Sequence, residues 1–109
     1  MAFNEELADR LRLLLADQEH ITEKKMFGGL SFLYKKKMSI GIIANHLAVR
    51  VVSEKYDHFI EQADVEEMTF TGKAMKEFLY VYPSAFETDE QLKAWIDLGL
   101  EHAKSKLKE

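Results

Sequence analysis

The chain has 109 residues with 19 acidic and 15 basic side chains, a formal net charge of −4, 47% apolar residues and no cysteine. That is enough chain for one domain of ordinary size and too apolar for a disordered one. Without cysteine there is no disulfide framework, thiolate metal site or cysteine nucleophile. No run of about 18 uncharged apolar residues exists to span a membrane, and the acidic start lacks the basic flank of a signal peptide. A cytoplasmic protein without membrane attachment is the expectation.

Asn4 is suited to cap a helix, since its side chain can accept from the first free amides. Glu5 and Glu6 follow where the helix dipole favours negative charge. Leu7, Leu11, Leu14 and Leu15 recur at helical spacing, so an amphipathic helix is expected over about residues 4–18. The period then becomes two. Leu30, Phe32 and Tyr34 alternate with their neighbours, as do Met38, Ile40 and Ile42, and then Leu47, Val49 and Val51. The short polar breaks at residues 35–37 and 44–46 can join only antiparallel neighbours. Residues 22–27 add a preceding strand that turns at Gly28–Gly29, where glycine allows positive φ for a bulge or tight turn.

Ser53 is the expected cap of a short helix bearing Tyr56, Phe59, Ile60 and Ala63. The acidic residues 64–67 lead into an extended stretch at 68–70, broken by Gly72. Residues 78–82 read as a further strand, ended by Pro83 because proline cannot donate to a ladder. Thr88 and Gln91 have capping-box spacing, opening a last helix whose buried stripe is Leu92, Trp95, Ile96, Gly99 and Ala103. The expected fold is α+β: a two-layer domain over residues 1–109, an antiparallel sheet of about five strands with helices, ordered α-β-β-β-α-β-β-α.

Charge is segregated along the chain. Residues 24–50 carry Lys24, Lys25, Lys35, Lys36, Lys37 and Arg50 without one acid, whereas residues 51–71 carry six acids against Lys55. Such a basic stretch can serve phosphates or an acidic partner. Lysines on strands also keep exposed edges soluble. Arg50 alternates with Val49 and Val51, so its face decides its role. If solvated, it can join the lysines; if buried, it needs a carboxylate such as Glu23 or Glu77.

Reactive groups do not converge in sequence. His20, His46, His58 and His102 show no i, i+4 pair and no H-E-x-x-H, so no metal site is expected. Gly72-Lys73 has Glu67 and Ala74 where a phosphate loop needs Gly and Ser or Thr. Gly28-Gly29 lacks the third glycine and the helix of a dinucleotide fingerprint. Glu66 and Glu67 are adjacent, so a strand would aim them at opposite faces. No catalytic residue, metal or cofactor is assigned, and the chain is expected not to be an enzyme.

Lys25-Met26-Phe27-Gly28-Gly29-Leu30 with Phe32, then Gly41, Leu47 and Arg50-Val51, form a first block of motifs. Phe70-x-Gly72-Lys73-x-Met75-Lys76 followed by Phe78-x-Tyr80-Val81 forms a second, and Leu92-x-x-Trp95-Ile96 a third. Together these resemble the N-terminal domain of the TfoX/Sxy family over about residues 5–104. The resemblance implies a compact α+β domain. It also implies relatives whose longer members regulate natural-competence genes and carry a second, helical domain. The present sequence has no counterpart of that second domain and is expected to be a stand-alone unit. On this view Met26, Phe27, Gly28, Gly29, Gly72, Met75 and Trp95 are structural.

Besides a small-molecule-binding or enzymatic domain with a pocket at a dimer interface, two functional readings follow from the sequence. One is a non-enzymatic regulatory or protein-interaction domain with a protein partner, and a homodimer through the uncovered sheet face carrying Phe78, Tyr80 and Tyr82. The alternative is a nucleic-acid-binding module in which Lys24, Lys25, Arg50, Lys73 and Lys76 neutralise phosphates and tyrosines stack on bases.

Overall fold

The computed structural model describes residues 3–26, 29–70 and 73–107. The first helix, α1 (Glu5–Leu14), begins as its sequence requires, with Asn4 Oδ1 accepting from the Leu7 amide at 3.1 Å. It stops at Leu15, whose ψ of 0 leaves helical geometry, so it is shorter than its leucine spacing suggests. Four strands follow: β1 (Ile21–Met26), β2 (Gly29–Tyr34), β3 (Lys37–Ile43) and β4 (His46–Arg50). The β2–β3 turn is tight, with Lys35 and Lys36 both at positive φ.

Next come α2 (Ser53–Ile60), β5 (Val65–Phe70), β6 (Lys73–Val81), a 3-10 turn (Pro83–Ala85) and α3 (Asp89–Leu107). Ser53 does not cap α2. Val52 occupies the cap position with no side-chain hydrogen bond, and Ser53 is already the first helical residue. Of the acidic stretch 64–67, Val65, Glu66 and Glu67 lie inside β5 rather than ahead of it. Thr88 and Gln91 form the expected reciprocal box, with Thr88 N donating to Gln91 Oε1 at 3.0 Å and Gln91 N to Thr88 Oγ1 at 3.1 Å.

All strand pairs are antiparallel, in the order β1-β2-β3-β4-β6-β5. There are thus six strands, because the stretch over residues 22–27 does form its own. β6 returns between β4 and β5, which places β5 at one edge and β1 at the other. The fold is the expected α+β domain, its element order matching the one read from the sequence once residues 22–27 are counted as a strand ahead of the other three. No described helix is long and apolar enough to cross a membrane.

The main core lies between the sheet and the helices. Leu30, Phe32, Ile40, Ile42, Leu47, Val49, Leu79 and Val81 meet Leu7 and Leu11 of α1 and Leu92, Trp95, Ile96 and Leu100 of α3. Trp95 is 5% exposed and its Nε1 donates to the Ala85 carbonyl at 3.0 Å, so the stripe read from α3 faces inward as expected. Between Phe32 and Leu33 the β2–β3 register shifts, leaving Ser39 as an extra residue. Its hydroxyl satisfies the Phe32 carbonyl at 2.9 Å, and its own carbonyl lies where a Cβ on Gly99 would collide. Gly29 is required for a similar reason: a Cβ there would strike the Ile42 carbonyl. Close approach of two backbones, rather than the positive φ expected from the sequence, accounts for that glycine.

Candidate functional site

Strand alternation sends Leu47, Val49 and Val51 to the helices and Ala48 and Arg50 the other way. On that second face a smaller cluster forms from Met38, Ala48 and Phe78, with Ile43 and Tyr80 packed against it. Its described members are all strand residues; no described helix residue belongs to it.

At one end of this face, three half-buried rings converge. His46 opens β4, and Tyr80 and Tyr82 flank Val81 at the end of β6. The β4–β6 register, with Leu47 opposite Val81, brings them together. His46 stacks on Tyr80 with centroids 4.5 Å apart and an interplanar angle of 21°, and its Nδ1 lies 3.0 Å from the Tyr80 hydroxyl. Tyr82 meets His46 edge-on at 4.8 Å and Tyr80 at 5.8 Å. Glu66 on the edge strand β5 is the register partner of Tyr80. Burial and then Glu66 push the Tyr80 pKa up; a hydrogen bond to Glu66 is the first cause of the same upward shift at Tyr82. Both phenols therefore stay protonated and able to donate across the physiological range. Glu67 faces the helices instead, where it adds to burial in raising the Tyr56 pKa. The two carboxylates diverge as a strand demands.

Lys24, Lys25 and Arg50, singled out in the sequence, do not gather here. Lys24 and Lys25 are exposed neighbours on β1, opposite Ser31 and Leu30 respectively, so their side chains leave on opposite faces. Arg50 lies three strands from β1, about 14 Å at ~4.8 Å per strand. Its Nε is buried without a hydrogen-bond partner and its Cζ sits 5.3 Å from the Phe78 ring centroid. Neither expected carboxylate holds it. Glu23 is gripped by Arg12, with Nε–Oε2 and Nη2–Oε1 distances of 2.8 and 2.9 Å, and that grip lowers the Glu23 pKa. Glu77 turns to His102. Phe27, Gly28 and Gly72 lie outside the described residues, and so do the side chains of Met26, Lys73, Met75 and Lys76.

His102 is fully buried on α3, its Nε2 3.2 Å from Glu77 Oε2. The approach lacks hydrogen-bonding geometry, and neither ring nitrogen has a hydrogen-bond partner. Burial, then the charge of Arg50, lowers the His102 pKa, against the opposing pull of Glu77. Burial thus favours the neutral form of this imidazole. A broad groove of about 1160 Å³ runs between α2 and α3, floored by Phe59, Trp95 and Leu98. Lys55 and Glu101 close a 2.8 Å ion pair across it. Among the described residues no three histidines or carboxylates are placed to hold a metal.

A sheet with one helix-covered face, the α-β-β-β-β-α-β-β-α order and the three motif blocks are now all in place. The profile of the TfoX N-terminal domain family matches residues 13–103, most of the chain. The chain belongs to that family. No curated protein matches it. In this TfoX N-terminal domain the matched region takes in β1 to β6 and nearly all of α3. The aromatic group of His46, Tyr80 and Tyr82 therefore lies within the family region, whereas Asn4 and most of α1 precede it.

Sequence reasoning named Tyr80 and Tyr82 but assigned His46 only to a turn. The signal that could have found the group is the alternation of Tyr80 and Tyr82 about Val81. It marks one strand face as aromatic while the intervening residue is core. The partner strand, and hence His46, depends on β6 crossing back beside β4.

Proposed function

We propose that this TfoX N-terminal domain is a non-enzymatic regulatory or protein-interaction domain, and that it makes contact through the sheet face opposite its helices. The observation that carries this reading is the half-exposed group of His46, Tyr80 and Tyr82 on a face to which no described helix contributes. Tyrosine presents a large apolar area and a hydroxyl at little entropic cost, which is why it is enriched at protein contacts. On this reading buried His102 beside Glu77 and the Lys55–Glu101 pair across the groove are structural rather than reacting groups.

The dispersal of Lys24, Lys25 and Arg50 favours a protein over a nucleic acid as the partner, because phosphate binding needs several cations on one surface. Fluorescence anisotropy with labelled single- and double-stranded DNA and RNA at low and moderate salt tests this. The expected result is no salt-sensitive binding in the micromolar range. Micromolar binding that weakens steeply with salt and disappears in a Lys24→Ala/Lys25→Ala/Arg50→Ala variant would replace this reading with the nucleic-acid one.

A further inference from the structure

The acid-free stretch from residue 24 to 50 puts three of its lysines into one hairpin. Tyr34 closes β2, Lys37 opens β3, and the two are register partners, so Lys35 and Lys36 form a two-residue loop. Both loop residues have positive φ, 48° and 72°. Such a loop is normally built from Asn-Gly, because left-handed backbone is costly for a side chain such as lysine. The turn geometry therefore does not account for the two lysines. Edge protection does not account for them either, since β2 and β3 are interior strands of the sheet.

Tyr34, half-buried against the main core, gathers basic groups from two further elements. Lys35 Nζ stands 5.8 Å from its ring centroid, and Lys104 Nζ, from the last turn of α3, stands 5.4 Å away. Both are within cation–π range. His20, in the loop before β1, meets the same ring edge-on at 6.3 Å, and its carbonyl accepts from the Lys35 amide at 3.0 Å. Lys37 shares the face of Tyr34 through their pairing. Lys35, Lys36, Lys37 and Lys104 are exposed, and among the described residues none of them is ion-paired. Glu19 marks the border of the cluster, its Oε2 3.8 Å from His20 Nε2. The Lys35 and Lys104 ammonium groups, about 11 Å apart at most, lie near one Debye length at ~0.1 M salt and repel. An anion seated between them relieves that repulsion.

Beyond the contact proposed for the opposite sheet face, we propose that this lysine cluster docks an acidic segment of a partner protein. Carboxylates of the segment lie against Lys35, Lys37 and Lys104, with Lys36 at the tip of the loop. Side chains on one side of an extended chain recur about every 7 Å, so two or three aspartates or glutamates span the cluster. A nucleic acid fits less well. The Tyr34 ring is engaged by the core and by two ammonium groups, which leaves no free ring for a base to stack on. A polyanionic strand continuing past the cluster would also meet exposed Asp17 and Glu19 on the loop that carries His20.

A fluorescently labelled peptide of consecutive glutamates tests the surface, by anisotropy at low and moderate salt. The wild-type chain is expected to bind it with a Kd on the order of 100 μM or tighter at low salt, and more weakly at moderate salt. Lys35→Asn/Lys36→Gly installs the residues this loop prefers, so it should raise the denaturation midpoint while weakening peptide binding roughly tenfold. Lys104→Gln should weaken binding several-fold with a nearly unchanged midpoint. Lys24→Gln/Lys25→Gln removes two exposed lysines from β1 and should leave binding as it was. No binding at low salt overturns the proposal, as does binding that survives the cluster variants or falls equally in the β1 variant. A lower midpoint in Lys35→Asn/Lys36→Gly would mean that the lysines serve the turn, and also overturns it. So does a single-stranded oligodeoxynucleotide of equal charge that binds more tightly than the peptide through the same lysines. None of these variants alters His46, Tyr80 or Tyr82, so failure here leaves the contact on the opposite face standing.

Discussion

The two faces of this sheet are built from the same strands by the same alternation, yet they differ in what they ask of the chain. On the helix side, Leu47, Val49, Leu79 and Val81 are wholly excluded from water and meet side chains of α1 and α3. On the other side, Ala48 and Phe78 are buried mainly among strand residues, while His46, Tyr80 and Tyr82 remain half exposed. The first face specifies the fold by apolar fit. The second combines apolar area with polar tips, a composition that tolerates both water and contact.

Substitutions should separate the faces by the size of their effects. Trp95→Ala removes a buried ring and its bond to Ala85, and should cost about 3–5 kcal/mol in chemical denaturation. A melting curve like that of the wild type would mean that the helix side is not the stabilising one. Gly99→Ala adds only a methyl, yet forces α3 away from the Ser39 carbonyl, for an expected loss of about 1–3 kcal/mol. Tyr82→Ser, on the far face, should cost about 1 kcal/mol or less. Lys36→Ala in the β2–β3 turn should stay within about 0.5 kcal/mol of the wild type, because the side chain is exposed.

Acid provides a further comparison. Arg50, Glu77 and Lys106 are the charged groups that act on His102, and burial outweighs the favourable pull of Glu77. The folded pKa thus lies below the ~6.5 of an unfolded histidine. As pH falls, the unfolded chain takes up this proton before the folded chain does. Stability from this group is complete above pH ~6.5 and is lost as pH drops through the folded value. Glu23, held down by Arg12, adds a second loss at lower pH, below the ordinary carboxylate range. Denaturation midpoints should therefore fall on acidification below pH ~6.5, and His102→Gln should flatten the upper part of that slope. An unchanged slope would mean that His102 is as easily protonated in the fold as out of it.

Much of the fold was legible because it rests on local rules. The period-two runs from Leu30 to Val51, the cap at Asn4 and the Thr88–Gln91 box each name their element without reference to anything distant. What failed was also local in sequence but decided by tertiary context. Ser53 is a good cap by type, yet the chain leaves β4 so that Val52 takes the cap geometry. Glu66 and Glu67 are poor strand formers by charge, yet the free edge of β6 recruits them. The candidate site was half legible. Tyr80 and Tyr82 announce a face, but His46 and Glu66 join them only through a register that sequence spacing does not encode. Arg50 shows the same limit: alternation gave its side of the sheet, but not that Arg12 would hold Glu23 and leave Phe78 as its neighbour.

Gly99 and the Ser39 bulge bear on how the molecule transmits force. A helix resting on side chains can slide along a sheet by exchanging one set of contacts for another. Here Gly99 of α3 sits close against the backbone of β3 at Ser39, and the residues one turn away, Trp95 and Ala103, both carry side chains that could not occupy the gap. The helix is pinned in axial position and in rotation. A pull on its C-terminal end is delivered to the middle of the sheet, at β3, rather than dissipated by slippage.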